Sequence, residues 1–305
     1  MNITKAEHVA KTARKAPASP WRMALHRFSR NKLALIGFFI LAFMFLLCFL
    51  GPFFSPYDLY ETQVTMKNKP PSGTHWLGTD FLGRDILLRM MLAGRISLLV
   101  GIVSTSIAVI IGSTLGALAG FYRKFTDTAI MRIADIFLAI PTLPILIILG
   151  AILSDLKVDP KYRIFFLMLM IGVLGWMGLS RLIRGQILSL REMEFMQAVE
   201  ALGIRDKRKI FRHLLPNTIP IIIVSATLGV ASAIITESAL SYLGIGVVPP
   251  TPSWGNMISV ANDMIVFKKR PWLWIPPGMC ILITVVAINL IGDGLRDALD
   301  PKTKK

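Results

Sequence analysis

Few residues in this 305-residue chain carry types and spacings that could do chemistry. Its four histidines, His8, His26, His75 and His213, are scattered, with neither the Cys/His spacing of a structural metal site nor an HExxH pair. No phosphate loop of the form GxxxxGK followed by Ser or Thr occurs, and no nucleophile motif supports a Ser/His/Asp triad. The two cysteines, Cys48 and Cys280, each sit inside an apolar run, which argues against a disulfide framework. The sequence therefore points to no catalytic residue, no metal ligand and no cofactor held by this chain.

What remains is a small set of ionisable residues in or beside apolar runs, where burial in lipid is costly and demands a reason. Glu237 lies near the end of one such run and is expected to face a central cavity or an outer gate, with Ser241 and Leu243 beside it. Arg132 and Asp135, three residues apart, are expected to pair on one helix face. Asp293, Arg296, Asp297 and Asp300 follow the last run and are expected to form a network at its end.

The elements that must position these residues follow from composition. A chain that is 54% hydrophobic and 17% charged, with mean hydropathy +0.61, is too apolar for an ordinary soluble domain. An α-helix needs about 20 apolar residues to cross ~30 Å of hydrocarbon. Six segments qualify, at 33–54, 96–121, 129–153, 164–183, 218–240 and 273–293. Because backbone groups in lipid must be satisfied internally and barrel alternation is absent, the expected fold is all-α, a polytopic bundle of six transmembrane helices. The first run is long and lacks a small-residue cleavage site, so it is read as an uncleaved span.

The excess of 34 Lys and Arg over 18 Asp and Glu would suggest nucleic acid in a soluble protein. Here the cations flank apolar runs, so topology explains them and no nucleic-acid partner is expected. The tail before the first span holds Lys5, Lys11, Arg14, Lys15, Arg22, Arg27, Arg30 and Lys32, which places it in the cytoplasm by the positive-inside rule. The expected division is a cytoplasmic tail at 1–32, a transmembrane domain at 33–294 and a cytoplasmic tail at 295–305. Within the domain lie extracytoplasmic loops at 55–94 and 241–272 and a cytoplasmic loop at 184–217. Trp254, Trp272 and Trp274 suit an aromatic interface belt, and Gly112, Gly116 and Gly120 form a small-residue stripe for close helix packing.

The cytoplasmic loop has more pattern than a charge-bearing connection needs. Phe195, Val199 and Leu202 recur at i, i+4 and i+7 as one apolar face, and Gly203 suits the left-handed residue that ends a helix. Asp206 reads as the N-cap of a second helix striped by Ile210, Phe211, Leu214 and Leu215 among Lys207, Arg208, Lys209 and Arg212, with Pro216 and Pro220 breaking it from the next span. Two apolar stripes joined by a glycine are what a helix pair docking in a partner's groove requires.

This loop resembles the EAA loop of ABC importer permeases. Gln197, Ala198 and Val199 stand at the EAA positions, Gly203 at the glycine, and Leu215 and Pro216 at the ending. Gln197 replaces the usual Glu and keeps hydrogen bonding without the charge, while Glu200, one turn on, is a partial substitute. The stretches SPYD at 55–58, HWLGTDFLGRDILLR at 75–89, MRIADIFLAIP at 131–141, RHLLPN at 212–217, ESALSYLGIG at 237–246, PTPSWG at 250–255 and GDGLRDALDP at 292–301 extend the resemblance. Together they are similar to the second permease subunit of oligopeptide, dipeptide and nickel importers.

That resemblance implies the type I permease fold and a multi-pass location in a prokaryotic cell membrane. It also implies partners: a homologous permease, two ATPase subunits binding ATP and Mg, an extracytoplasmic binding protein and a peptide or, alternatively, nickel. Phe195, Gln197, Ala198, Val199, Glu200, Leu202, Gly203, Asp206, Phe211, His213, Leu215 and Pro216 would then be the ATPase-coupling residues. A self-sufficient secondary transporter or channel would instead show paired broken helices in an internal repeat and intramembrane carboxylates, and no convincing repeat occurs.

Overall fold

The computed structural model describes residues 20–299. The sequence readings placed on Lys5, His8, Lys11, Arg14, Lys15 and Asp300 lie outside them. The described residues form helices α1 (Pro20–Phe28), α2 (Lys32–Phe49), α3 (Ile86–Tyr122), α4 (Lys124–Ala139), α5 (Thr142–Asp155), α6 (Pro160–Val173), α7 (Trp176–Arg191), α8 (Glu194–Ala201), α9 (Ile219–Tyr242), α10 (Trp254–Ile258), α11 (Met264–Lys269) and α12 (Ile275–Leu299). The all-α membrane bundle is present. Five helical stretches are long and apolar enough to cross a membrane, and a sixth passes only as the α4–α5 pair, bent by 82°.

That bend corrects the single span expected at 129–153. Pro141 lacks an N–H and excludes the residue before it from helical geometry, and Ile140 is accordingly extended at φ −98°, ψ 128°. The span expected at 164–183 is present within one helical stretch, Pro160–Arg191, made of α6 and α7 joined at Leu174–Gly175.

Helix α3 begins ten residues before the expected 96, so the connection expected at 55–94 ends near 85. Asp85 caps it, accepting from Leu88 N at 2.8 Å. The two arginines that interrupt the apolar run in this first part are both partnered. Arg95 donates from Nε to Cys48 O and from Nη2 to Phe49 O, each at 2.8 Å, satisfying carbonyls left open at the end of α2. Arg89 lies 3.5 Å from Asp80.

Helix α3 is central and packs on α2, α4, α6, α7 and α9. Its glycine stripe sets the α7 contact: a Cβ would stand 2.8 Å from Trp176 O at Gly112, 2.5 Å from Ser180 O at Gly116 and 2.8 Å from Ile187 Cβ at Gly120. The two backbones approach so closely that only hydrogen fits.

Three local expectations change. Trp254 does not join an interface belt: the capping box of Ser253 and Asn256 starts α10 and drops its ring, 0% exposed, into the core, where Nε1 donates to Met90 O at 3.0 Å. Asp135 pairs not with Arg132 but with Arg181 across to α7, beside the Asp127–Arg184 pair, because α4 lies against α7. Among the described residues Asp293, Arg296 and Asp297 form no ion pair with one another.

Candidate functional site

The segment from Glu194 to Thr218 closes one end of the bundle. Met196 and Val199 on α8 are buried with Phe121, Ile187, Leu190, Ile210 and Leu214. Phe195 and Leu202, expected on the same face as Val199, are 38% and 76% exposed. The anchoring face is thus Met196 and Val199, at i and i+3, and the outward face holds Phe195, Gln197, Ala198, Glu200 and Leu202. The reason is tertiary: α8 must cover the end of α7, and only the Met196 side of it carries apolar residues that reach Ile187 and Leu190.

Gly203 then reverses the chain at φ +64°, donating from its N–H to Glu200 O at 2.9 Å. This matches the helix end expected there. The second element departs from expectation in three ways. Arg205 is the N-cap, and Asp206 is the first residue of a single turn, Asp206–Arg208, holding Lys209 Nζ at 3.3 Å. A π-helical turn, Lys209–Leu214, and a 3₁₀ turn, Leu215–Thr218, follow. Pro216 and Pro220 sit in the first positions of the 3₁₀ turn and of α9, where a missing N–H is tolerated, so they do not separate the segment from the span. Helical winding continues from Asp206 to Tyr242.

The π turn divides the expected stripe. Ile210 and Leu214 point into the core, Leu215 is half-buried and Phe211 is 44% exposed. His213 is half-buried, and its carbonyl accepts from Asn217 Nδ2 at 2.6 Å. An exposed surface results in which Phe195, Leu202 and Phe211 stand among Arg205, Lys207, Arg208 and Arg212.

Sequence reasoning missed the residues that hold this surface in place. Arg191 donates to Phe121 O and lies over the Phe121 ring at 5.0 Å, joining the ends of α7 and α3. Arg123 reaches Glu192 at 3.1 Å, and Arg184 grips Asp127 with Nε at 2.5 Å and Nη2 at 2.6 Å. Met196 alone carried a legible signal, its three-residue spacing from Val199.

At the far end of α9, Glu237 is 0% exposed. It accepts from Ser97 at 2.9 Å, Ser241 at 2.6 Å and Ser238 at 3.4 Å. Ser97 and Ser241 in turn accept from the backbone, Ser97 from Trp254 N at 3.3 Å and Ser241 from Val247 N at 2.9 Å. The structure brings Glu237 and Ser241 into one network tying α3 and α9 to the chain that leads into α10. Leu243, 52% exposed at the C-cap, stands outside it.

The chain's similarities accord with this architecture. Residues 112–305 match the model of the binding-protein-dependent transport system inner membrane component family, and residues 19–71 match that of the N-terminal TM domain of oligopeptide transport permease C. The oligopeptide transport system permease protein OppC of Bacillus subtilis is 40% identical over 304 residues, covering 100% of this chain and 95% of that protein. The dipeptide transport system permease protein DppC of Alkalihalophilus pseudofirmus is 40% identical over 286 residues, or 94% and 91% of the two chains. OppC of Haemophilus influenzae is 38% identical over 288 residues, or 94% and 90%. A family match over most of the chain, with relatives aligned nearly end to end, makes this protein a member of the binding-protein-dependent transport system inner membrane component family.

Proposed function

We propose that this chain is one permease subunit of an ATP-driven peptide importer. The observation that carries the reading is its near end-to-end likeness to permeases named for oligopeptide and dipeptide transport. Those names favour peptide over the nickel alternative. The chain pairs with a homologous permease, receives peptide from an extracytoplasmic binding protein and hydrolyses no ATP itself. Two ATPase subunits bind ATP and Mg, and they engage the cytoplasmic surface around Gly203, where Phe195, Leu202 and Phe211 are exposed. Both termini are cytoplasmic, as the cation distribution suggests.

Coupling in this scheme is mechanical. Val199, Ile210 and Leu214 root the surface in the same apolar cluster as Ile183 and Ile187 of α7. A displacement of the docked ATPase therefore moves α7 and, through the glycine contact, α3, biasing the bundle between two orientations. With Gln197 uncharged and outward, apolar packing carries the contact.

Purification from membranes expressing the whole system tests the reading. The chain is expected to bring two ATPase chains and a second permease with it, and vesicles holding the complex are expected to take up radiolabelled di-, tri- and pentapeptides only with ATP. Isolation of the chain alone, together with peptide uptake independent of ATP, would overturn it.

A further inference from the structure

A cavity of about 280 Å³ lies between α3, α5, α6, α7 and α9, and none of the side chains lining it is charged. On α9 its wall is Ser225, Gly229, Ser232 and Thr236, which recur at i, i+4, i+7 and i+11 and share one helix face. Opposite them on α3 stand Ser104 and Thr105, 1% and 6% exposed. Their hydroxyl oxygens are buried and have no hydrogen-bond partner among the described residues.

Those two hydroxyls are exceptions. A serine or threonine in a helix commonly satisfies itself on the carbonyl one turn back, as Ser106 does on Ile102 O at 2.8 Å, Thr227 on Ile223 O at 2.9 Å and Thr236 on Ser232 O at 2.8 Å. Ser104 and Thr105 forgo that bond inside a membrane-spanning helix, where an unpaired polar group is costly. Gly229 keeps this wall low: a Cβ there would stand 2.9 Å from Thr105 Cγ2 and 3.5 Å from its Oγ1.

We propose that this cavity is a binding site for the main chain of the transported peptide, formed by Ser104, Thr105, Ser225, Ser232 and Thr236. The unpartnered hydroxyls of Ser104 and Thr105 can each donate and accept, so they can meet either the N–H or the C=O of a peptide unit, whereas Thr236, whose proton goes to Ser232 O, can only accept. With no charge in the wall, the site does not sort peptides by the sign of their side chains, and it lacks the carboxylates or imidazoles that a bare metal ion would need. The pathway thus runs along α9 from Ser225 to Thr236, the residue that precedes Glu237. The inference rests on the peptide-import reading and names where the substrate touches this subunit.

The test uses the complete importer in lipid vesicles with single cysteines at Ser232 or Thr236 on the cavity wall and at Phe39, a 67% exposed apolar position on α2. Native Cys48 and Cys280 are buried, at 1% and 8% exposure, and set the background. A charged methanethiosulfonate reagent is expected to modify Ser232→Cys or Thr236→Cys at least tenfold faster than Phe39→Cys. During turnover, Ala-Glu-Ala and Ala-Lys-Ala are each expected to slow that reaction severalfold. The paired Ser104→Ala, Thr105→Val variant, which removes the hydroxyls with little change of shape, is expected to raise KM for both peptides at least threefold.

Labelling of the wall cysteines no faster than of Phe39→Cys, or protection by only one of the two peptides, would overturn the inference while uptake by the unmodified importer stands. An unmodified importer that takes up no peptide refutes the transport reading itself, and this ligand with it.

Discussion

Ser97 on α3 donates its hydroxyl to the Glu237 carboxylate on α9 at 2.9 Å, across 140 positions of sequence. The Glu237 side chain is accommodated there at 0% exposure because Ser241 and Ser238 also face it, spreading its hydrogen-bonding needs over both helices.

Replacing Glu237 by Ala strands Ser97 and Ser241 in the core, so the variant should be less stable by roughly 1–3 kcal/mol, the cost of leaving a buried partner unsatisfied. Glu237→Gln retains acceptor capacity and should lose less than about half of that. Thermal unfolding of the purified complex in detergent checks the order. Equal losses in the two variants would show that hydrogen bonding is not what Glu237 supplies.

The turn at Gly203 is open, since a Cβ there would meet no atom within 4 Å, yet its φ of +64° suits few side chains. Gly203→Val should therefore strain the backbone by about 1–3 kcal/mol without any clash, and Gly203→Asn much less. Peptide uptake per ATP hydrolysed is expected to fall in the Val variant and to stay near normal in the Asn variant. Unchanged coupling in Gly203→Val would mean that the turn geometry is not used.

Exposed and buried apolar residues of the same segment should separate docking from folding. A Leu202→Ala, Phe211→Ala double variant removes exposed groups, so its stability should stay within about 0.5 kcal/mol of the parent. Its affinity for the ATPase should drop at least tenfold, about 1.4 kcal/mol. By contrast Leu214→Ala, at a position 0% exposed, should cost about 2–5 kcal/mol in stability. Titrating ATPase subunits onto the permease pair and melting each variant supply the two readouts.

Helix approach at Gly116 offers a fourth check. A Cβ there would lie 2.5 Å from Ser180 O, whereas one at Gly185 would meet nothing within 4 Å. Gly116→Ala should be destabilised by about 1–3 kcal/mol through overpacking, and Gly185→Ala should not. Limited proteolysis of the two variants in membranes compares them.

Much of this was readable without coordinates. Runs of apolar residues announced the spans because a bilayer admits little besides helices, and Gly112, Gly116 and Gly120 announced close packing because their spacing aligns them on one face. Gly203 was equally plain, as the left-handed conformation favours glycine. These are properties of periodicity and of single residues, so one dimension suffices for them.

Tertiary structure decided what depended on distant neighbours. Whether Val199 turns inward with Met196 or with Phe195 is set by the end of α7, and whether Asp135 meets Arg132 or Arg181 is set by the lie of α4. Arg89 and Arg95 meet their partners, Asp80 and the carbonyls of Cys48 and Phe49, only in the fold. Ser97, 140 positions away, reaches Glu237 only in the fold, and Ser104 and Thr105 attract notice only when their hydroxyls find no partner among the described residues. A sequence states which groups need partners; only the packed chain determines which partners arrive, because satisfaction of a buried polar group is a question of distance.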